Sequence, residues 1–203
     1  AGTYKLELPN EKPWKMLKIY SNITIKGDGW RTVLDASAMP EKTEKGSAII
    51  STDGKGSLTS NIQIKDIFIK GGAKEFKFAH DSTPGILIGD VVNFEITGCR
   101  LENIVGISIC YVNVCNGEIS GNFVYGGLRD GITSFGMVQQ MRIVNNTIEK
   151  VYDDGIAINF IVGDRYDQVV PKIPHERMPT GIVIANNVIR HAASRGINIL
   201  NVK

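Results

Sequence analysis

A short phrase of alternating apolar and polar residues returns along most of the chain, and this repeat constrains the fold more than any other feature. The phrase has the form Gly-Ile-x-Ile or a close relative, and its copies begin at Gly85, Gly106, Gly131, Gly155 and Gly196, at intervals of 21, 25, 24 and 41 residues. A second phrase, Ile-x-x-Asn-x-Ile or a relative, begins at Ile96, Ile119, Ile143 and Ile184, at intervals of 23, 24 and 41 residues. Both series lengthen at the same place, so one insertion accounts for both.

Alternation with a period of two is typical of a strand with one buried face. The strand pieces are three to five residues long and are broken by Gly and Asn, which tolerate the backbone of tight bends. Short strands that recur about every 24 residues without helices between them indicate a solenoid of stacked coils. We therefore predict an all-β fold, a right-handed parallel β-helix of about eight coils of roughly 24 residues, in a single domain over residues 1–203.

The same repeat predicts which side chains face the interior. One column is expected to stack inside the coils: Ile86, Ile107, Ile132, Ile156 and Ile197. The alternating column is expected to face outward: Leu87, Ser108, Thr133, Ala157 and Asn198. A leucine-rich solenoid would need a Leu-x-x-Leu-x-Leu repeat and a hexapeptide solenoid a six-residue repeat. An immunoglobulin-like sandwich would not explain two phrases that recur at matching intervals.

Composition narrows the classes of function. The formal net charge is +2, without a dense run of Lys or Arg, so we expect no nucleic-acid partner. No window approaches 18 consecutive apolar residues, which predicts no membrane span. The three cysteines, Cys99, Cys110 and Cys115, form no metal-type pair and lie among apolar residues, so we interpret them as buried thiols.

The first coils carry a resemblance to a known group. The segments Ala1-Gly-Thr-Tyr4, Asn22-Ile-Thr-Ile-Lys-Gly-Asp-Gly29 and Thr32-Val-Leu34 resemble the opening strands of the pectate-lyase-like superfamily. That superfamily includes polysaccharide lyases, polygalacturonase-type glycosidases and phage tailspikes. The resemblance implies a β-helix that acts on or binds polysaccharide and that is extracellular or virion-associated.

Three carboxylates stand at equivalent places of two neighbouring coils. Asp130 precedes Gly131, and Asp153 and Asp154 precede Gly155. If the coils stack, the backbones of Asp130 and Asp154 lie roughly 5 Å apart, and repulsion raises the pKa of one carboxyl. A protonated acid beside an ionised carboxylate is what glycosidic cleavage requires. An aspartate before glycine also fits ordinary turn chemistry, and Asp154 could simply pair with an arginine at the surface.

The segment 151–159 resembles the Asp-Asp-Cys-Ile-Ala-Ile-Asn segment of polygalacturonase-type glycosidases. The resemblance implies that Asp130, Asp153 and Asp154 supply the acid and the water-activating group. The sequence departs from that family at Arg129, where the family has Thr, and at Arg195, which stands in place of the histidine of Gly-His-Gly.

Residues 161–180 form the insertion, and their prolines and mixed charges predict a protruding loop that could wall a groove over the carboxylates. Alternatively, this loop forms a contact between subunits or is a solvent-exposed segment without a binding role. Basic and aromatic side chains that could grip acidic sugars give the substrate-binding candidates: Arg129, Arg165, Tyr166, His175, Arg177, His191 and Arg195.

These observations lead to a hypothesis with one competitor. The hypothesis is a carbohydrate-active β-helix that binds and cleaves a polysaccharide by carboxylate acid/base catalysis, as a glycoside hydrolase or a lyase. The competitor is a non-catalytic shaft or receptor-binding region of a phage tailspike or surface adhesin. We expect no cofactor, since nothing in the spacing favours Ca²⁺, although a calcium-assisted lyase built on Asp130, Asp154 and Arg195 is possible within the superfamily. Because the last strand phrase has no cap after it, we expect further coils beyond Lys203, or another chain of a homo-oligomer, to cover that end.

Overall fold

The computed structural model describes residues 1–10, 12–41, 46–52, 58–79, 83–159 and 180–200. These residues form seventeen strands and one short 3-10 helix, Gly29–Arg31. The strands are β1 (Gly2–Lys5), β2 (Lys15–Ile19), β3 (Thr24–Lys26), β4 (Thr32–Asp35), β5 (Ala48–Thr52), β6 (Thr59–Lys65), β7 (Phe68–Lys70), β8 (Ile86–Thr97), β9 (Arg100–Glu102), β10 (Ile109–Ser120), β11 (Phe123–Tyr125), β12 (Ile132–Val144), β13 (Thr147–Glu149), β14 (Ile156–Asn159), β15 (Thr180–Ala185), β16 (Val188–Arg190) and β17 (Ile197–Leu200).

The strands alternate between two sheets along the chain. One sheet has seven strands in the order β1-β4-β7-β9-β11-β13-β16. The other follows the path β2-β5-β8-β10-β12-β14-β17, with β3, β6 and β15 paired beside it. Each pairing is parallel, for example β10 with both β8 and β12. The predicted parallel β-helix is therefore confirmed, while the number of about eight coils stays a prediction.

The register of the coils corrects one predicted position. Ile109 pairs with Ile86 on one side and with Ile132 on the other, so Ile109 and not Ile107 belongs to the interior column. Both isoleucines fit the alternating phrase, but the Ile109 N–H donates to Gly131 O, which fixes the register two residues later. The column then continues through Ile156 and Ile197, as predicted.

The column that alternates with these isoleucines is mostly buried, although we predicted it to face outward. Its members in register are Leu87, Cys110, Thr133, Ala157 and Asn198. The last four are at most 6% exposed, and Leu87 is partly buried. Ser108 is also buried, but it precedes this column. Part of the reason is a second hydrophobic cluster on this face, in which Leu87 packs against Ile107, Cys110, Val112 and Phe135.

Asparagines stack at the same bend of three successive coils. Asn122 Oδ1 accepts from Cys99 N–H, and Asn146 Oδ1 accepts from both nitrogens of Asn122. Asn187 continues the same ladder by accepting from Asn146. Because these side chains satisfy backbone groups of the preceding coil, the ladder links coils where no strand does.

Two further predictions can be compared with this structure. Cys99 and Cys110 are buried thiols, as predicted, whereas Cys115 is only partly buried. Among the residues placed by the structure, no helix has the length and apolar character that crossing a membrane requires.

Candidate functional site

Stacking of the coils brings the three predicted carboxylates together. Asp130 and Asp154 lie one above the other because Gly131 N–H donates to Asp154 O and Ile132 N–H donates to Gly155 O. One oxygen of each of Asp130, Asp153 and Asp154 lies within 4.8 Å of the corresponding oxygens of the other two. The predicted convergence is present in the structure.

Asp130 is one of the two buried carboxylates of the cluster. It is 4% exposed. Its Oδ2 accepts from Thr133 Oγ1 at 2.7 Å, and its Oδ1 accepts from the Asp154 backbone N–H at 3.0 Å. Burial raises the pKa of Asp130, and the two hydrogen bonds oppose that rise.

Asp154 repeats the same arrangement one coil further on. It is 3% exposed, and its Oδ1 accepts from both the backbone N–H and the Nε of Arg195, at 3.1 and 2.9 Å. Its Oδ2 accepts from Asn198 Nδ2 at 2.6 Å. Both oxygens of Asp154 are thus engaged, which makes it a positioned and charge-paired group rather than one open to solvent.

Asp153 is the carboxylate that solvent can reach. Its side chain keeps 23% of its exposure, and its Oδ2 lies 3.7 Å from Arg129 Nε. Burial and the neighbouring charge of Asp154 raise the pKa of Asp153, while Arg129 and Arg195 oppose the rise. A carboxyl that is partly exposed and holds its proton above the usual pH is suited to donate it.

Arg129 connects this carboxylate to a loop on the flank of the rod. Its guanidinium lies over the ring of Phe78, with Cζ 4.7 Å from the ring centroid, and its Nη1 donates to Ala79 O at 3.4 Å. Its Nε is buried and makes no hydrogen bond. Arg129 therefore lies beside the acids, and its role in substrate binding stays a prediction.

The other substrate-binding candidates have different outcomes. The Arg195 side chain is 53% exposed and pairs with Asp154, so it belongs to the cluster. His191 lies at an exposed bend with φ 55°, and none of the described hydrogen bonds or ion pairs joins it to the acids. Arg165, Tyr166, His175 and Arg177 lie outside the described residues, as does most of the predicted loop over 161–180.

Two members of the cluster were missed in the sequence. Thr133 and Asn198 hold Asp130 and Asp154, but their alternation with buried isoleucines led us to expect solvent-facing side chains. The sequence offered a signal for Thr133, which stands three residues after Asp130 and can reach back to it. It offered none for Asn198, which lies beside Asp154 only because β17 stacks on β14.

The acids are a poor match for a cation in this arrangement. A calcium site needs six to eight oxygen ligands. Here both oxygens of Asp130 and of Asp154 already accept hydrogen bonds, and the Arg195 cation contacts Asp154 directly. The expectation that no metal is required stays a prediction.

A polar groove of about 470 Å³ lies on a different face of the rod. It is lined by the amides of Asn22, Asn61, Asn93 and Asn116 and by side chains of β6, β8 and β10. Its asparagines bond to one another from coil to coil, for instance Asn116 Nδ2 to Asn93 Oδ1 at 2.7 Å. None of the three acids lines this groove, so its volume does not describe the carboxylate site.

Comparison with known proteins adds the following findings. A family model described as a right handed beta helix region matches residues 44–160. Among solved structures, one from Parabacteroides merdae ATCC 43184, of a protein proposed to be a glycosyl hydrolase, is similar with a TM-score of 0.50 and 14% identity. The match covers 91% of this chain and 74% of that one, and at this identity it shows the fold alone. No curated protein matches the sequence.

Proposed function

Because this chain belongs to the right-handed β-helix family, whose model matches more than half of it, we propose that it is a carbohydrate-active protein that binds a polysaccharide and cleaves its glycosidic bonds. The observation that carries the proposal is the convergence of Asp130, Asp153 and Asp154, of which Asp153 is partly exposed. The similarity to a protein proposed to be a glycosyl hydrolase agrees with it. An extracellular or virion-associated location and a metal-free reaction belong to the same proposal.

In this mechanism Asp153 gives its proton to the glycosidic oxygen as the bond breaks, and water then adds to the anomeric carbon and returns a proton to Asp153. Its raised pKa keeps the proton available, and the charge of Asp154 contributes to that rise. Asp154 is fixed by Arg195 and Asn198, so it is the positioned second carboxylate. Spacings of about 5–5.5 Å between carboxyl groups accompany retention and about 6.5–9.5 Å accompany inversion. The oxygen separation of at most 4.8 Å here is closer to the retaining range.

The test is cleavage of a broad polysaccharide panel, with reducing ends and the absorbance of unsaturated sugar both measured. We expect the native protein to cleave at least one polymer, and Asp153→Asn to lower kcat by about 100-fold or more because a proton donor is lost. Asp154→Asn should also be impaired. Asp28→Asn is the matched control, because it removes an exposed carboxylate that is paired with Arg31 at the surface.

The proposal fails if the native protein cleaves nothing on the panel, or if Asp153→Asn cleaves as well as the native protein. The relative yield of reducing ends and unsaturated ends separates hydrolysis from elimination.

One observation favours a second candidate, a non-catalytic rod such as a tailspike shaft. Asp130 and Asp154 are buried, and each accepts the backbone N–H of the equivalent residue in the next coil. That is also what a purely structural ladder would do. A protein that is inactive on the whole panel, and whose size in solution by light scattering is that of an oligomer, would support this candidate.

A further inference from the structure

We infer that a row of aromatic side chains on the flank of the rod binds the polysaccharide outside the carboxylate cluster and leads it to Asp153. This aromatic strip comprises Trp30, Phe123, Tyr125, Phe76, Tyr152 and Phe78. The inference rests on the proposed function, because it takes the same substrate and the same acid. It adds a binding surface and a preference for acidic sugars.

Trp30 begins the strip and is fixed in place. Its Nε1 donates to Gly98 O at 3.1 Å, and the Arg100 guanidinium lies 4.9 Å from the ring centroid. Even so, Trp30 is 45% exposed. Arg100 is itself held between the rings of Phe68 and Phe123 and pairs with Glu102. A large ring that is positioned yet left open to solvent is suited to stack on the face of a sugar.

The strip then continues ring by ring across neighbouring coils. Trp30 and Phe123 have centroids 6.0 Å apart, and Phe123 and Tyr125 are 6.4 Å apart with their planes within 4°. Lys150 Nζ bridges the next step, 5.7 Å from the Tyr125 centroid and 5.6 Å from that of Phe76. The measured ring pairs are close enough for one extended chain to touch both members, and Lys150 joins Tyr125 to Phe76.

The far end of the strip meets the acid. Phe76 contacts Tyr152 at 4.9 Å between centroids, and Tyr152 contacts Phe78 at 6.1 Å. Phe78 lies under the guanidinium of Arg129, whose Nε is 3.7 Å from Asp153 Oδ2. The strip thus ends at the one carboxylate of the cluster that is partly exposed, and this continuity makes a substrate chain its occupant.

The charges along the strip favour a polysaccharide that carries carboxylates. Lys150 is exposed and has no carboxylate partner among the residues that the structure describes, and it lies midway along the strip. Arg100 and Arg129 stand at the two ends but are paired with Glu102 and Asp153, so Lys150 supplies the uncompensated positive charge. A ring face beside an unpaired ammonium group fits the apolar face and the carboxylate of a uronic acid.

The test compares Trp30→Ala with Tyr20→Ala, because Tyr20 is 56% exposed but makes none of the ring contacts above. Binding is measured by calorimetry in an Asp153→Asn background, on acidic and neutral polysaccharides and on di- to tetrasaccharides of the polymers that bind. We expect Trp30→Ala to weaken binding of the acidic polymer about five-fold and to leave disaccharides unchanged. Tyr20→Ala should match the native protein. Lys150→Gln should weaken acidic polymers only.

The inference is overturned if Trp30→Ala binds the polymer as tightly as the native protein, if only neutral polymers bind, or if no polysaccharide binds. Circular dichroism and thermal melting confirm that each variant is folded. The two proposals fail separately. Cleavage that is insensitive to Trp30→Ala contradicts the strip alone, and Trp30-dependent binding without cleavage contradicts the catalytic role alone.

Discussion

Asp130 is a buried carboxylate that links two coils and has a raised pKa. Its carboxylate holds the next coil by accepting the Asp154 N–H, and it is anchored by Thr133. Burial nonetheless raises its pKa, so this carboxyl releases its proton at a higher pH than an unperturbed aspartate does. Burial favours the protonated form of this carboxyl, whereas the hydrogen bonds from Thr133 and Asp154 favour the ionised form.

The variant Asp130→Asn tests the raised pKa of Asp130 through the pH dependence of thermal stability. The native carboxyl, with its raised pKa, binds its proton more tightly than the unfolded chain does. The stability this contributes is complete below the ordinary pKa and is lost as pH rises through the folded value. Relative to Asp130→Asn, which does not ionise, the native protein should therefore lose melting temperature as pH rises above the ordinary pKa of 3.8.

Thermal melting by circular dichroism at four pH values measures this difference. Asn145→Gly serves as the control, because Asn145 is exposed at φ 58° and carries no ionisable group. A difference between native protein and Asp130→Asn that stays constant with pH would contradict the prediction.

At the scale of the strand and its bend, the coils approach each other so closely that some positions admit no side chain. A Cβ on Gly155 would lie 2.6 Å from Gly196 O and 2.6 Å from Ile189 Cγ2. A Cβ on Gly196, the equivalent position of the next coil, would meet nothing within 4 Å. Glycine is thus required at position 155 but not at position 196, because only Gly155 has another described coil packed against it.

This contrast gives a matched pair of variants. Gly155→Ala should lower the free energy of unfolding by about 1–3 kcal/mol, because the neighbouring backbone must move. Gly196→Ala should change it by less than about 0.5 kcal/mol. Urea denaturation followed by fluorescence measures both, and equal effects of the two substitutions would contradict the close packing seen here.

The sequence repeat predicted the positions of the strands better than it predicted which of their side chains are buried. Period-two phrases identified the strands of β8, β10, β12 and β14, and two series in step predicted that Asp130 and Asp154 are neighbours. The position of Ile107 was wrong because two isoleucines in alternation fit the phrase equally well, and only hydrogen bonds between coils decide between them. The burial of Thr133 and Asn198 was missed because alternation distinguishes the two sides of a strand but not what covers the outer side.

On the scale of the whole molecule, stability is distributed along the rod rather than gathered in one centre. Interior isoleucines such as Ile86, Ile109 and Ile132 are fully buried between neighbouring coils, whereas Ile197 and Ile199 of β17 are 50% and 59% exposed. In the part of the chain that the structure describes, β17 pairs with β14 alone. Local opening should therefore be easiest at this end.

Amide hydrogen exchange followed by mass spectrometry checks this gradient. We expect the slowest exchange in β10, which is paired on both sides, and exchange about 100-fold faster or more in β17. The peptide covering β12 serves as an internal control, because it is also paired on both sides. Uniform protection along the rod would contradict the expected gradient.

The shared register of β8, β10 and β12 bears on how such a rod could change its length. Because Ile86, Ile109 and Ile132 occupy one column, excising residues 109–131 would rejoin the chain in phase from Ile132 to Phe135, after which the register of β12 shifts by one residue. Side-chain packing opposes this excision at one position. Gly117 separates Phe94 from Met141, and a Cβ added at Gly117 would lie 2.2 Å from the Phe94 ring. Removal of that coil would make Phe94 and Met141 direct neighbours on adjacent strands. Loss of this coil is therefore opposed both by the register shift in β12 and by the sizes of the side chains that would become neighbours.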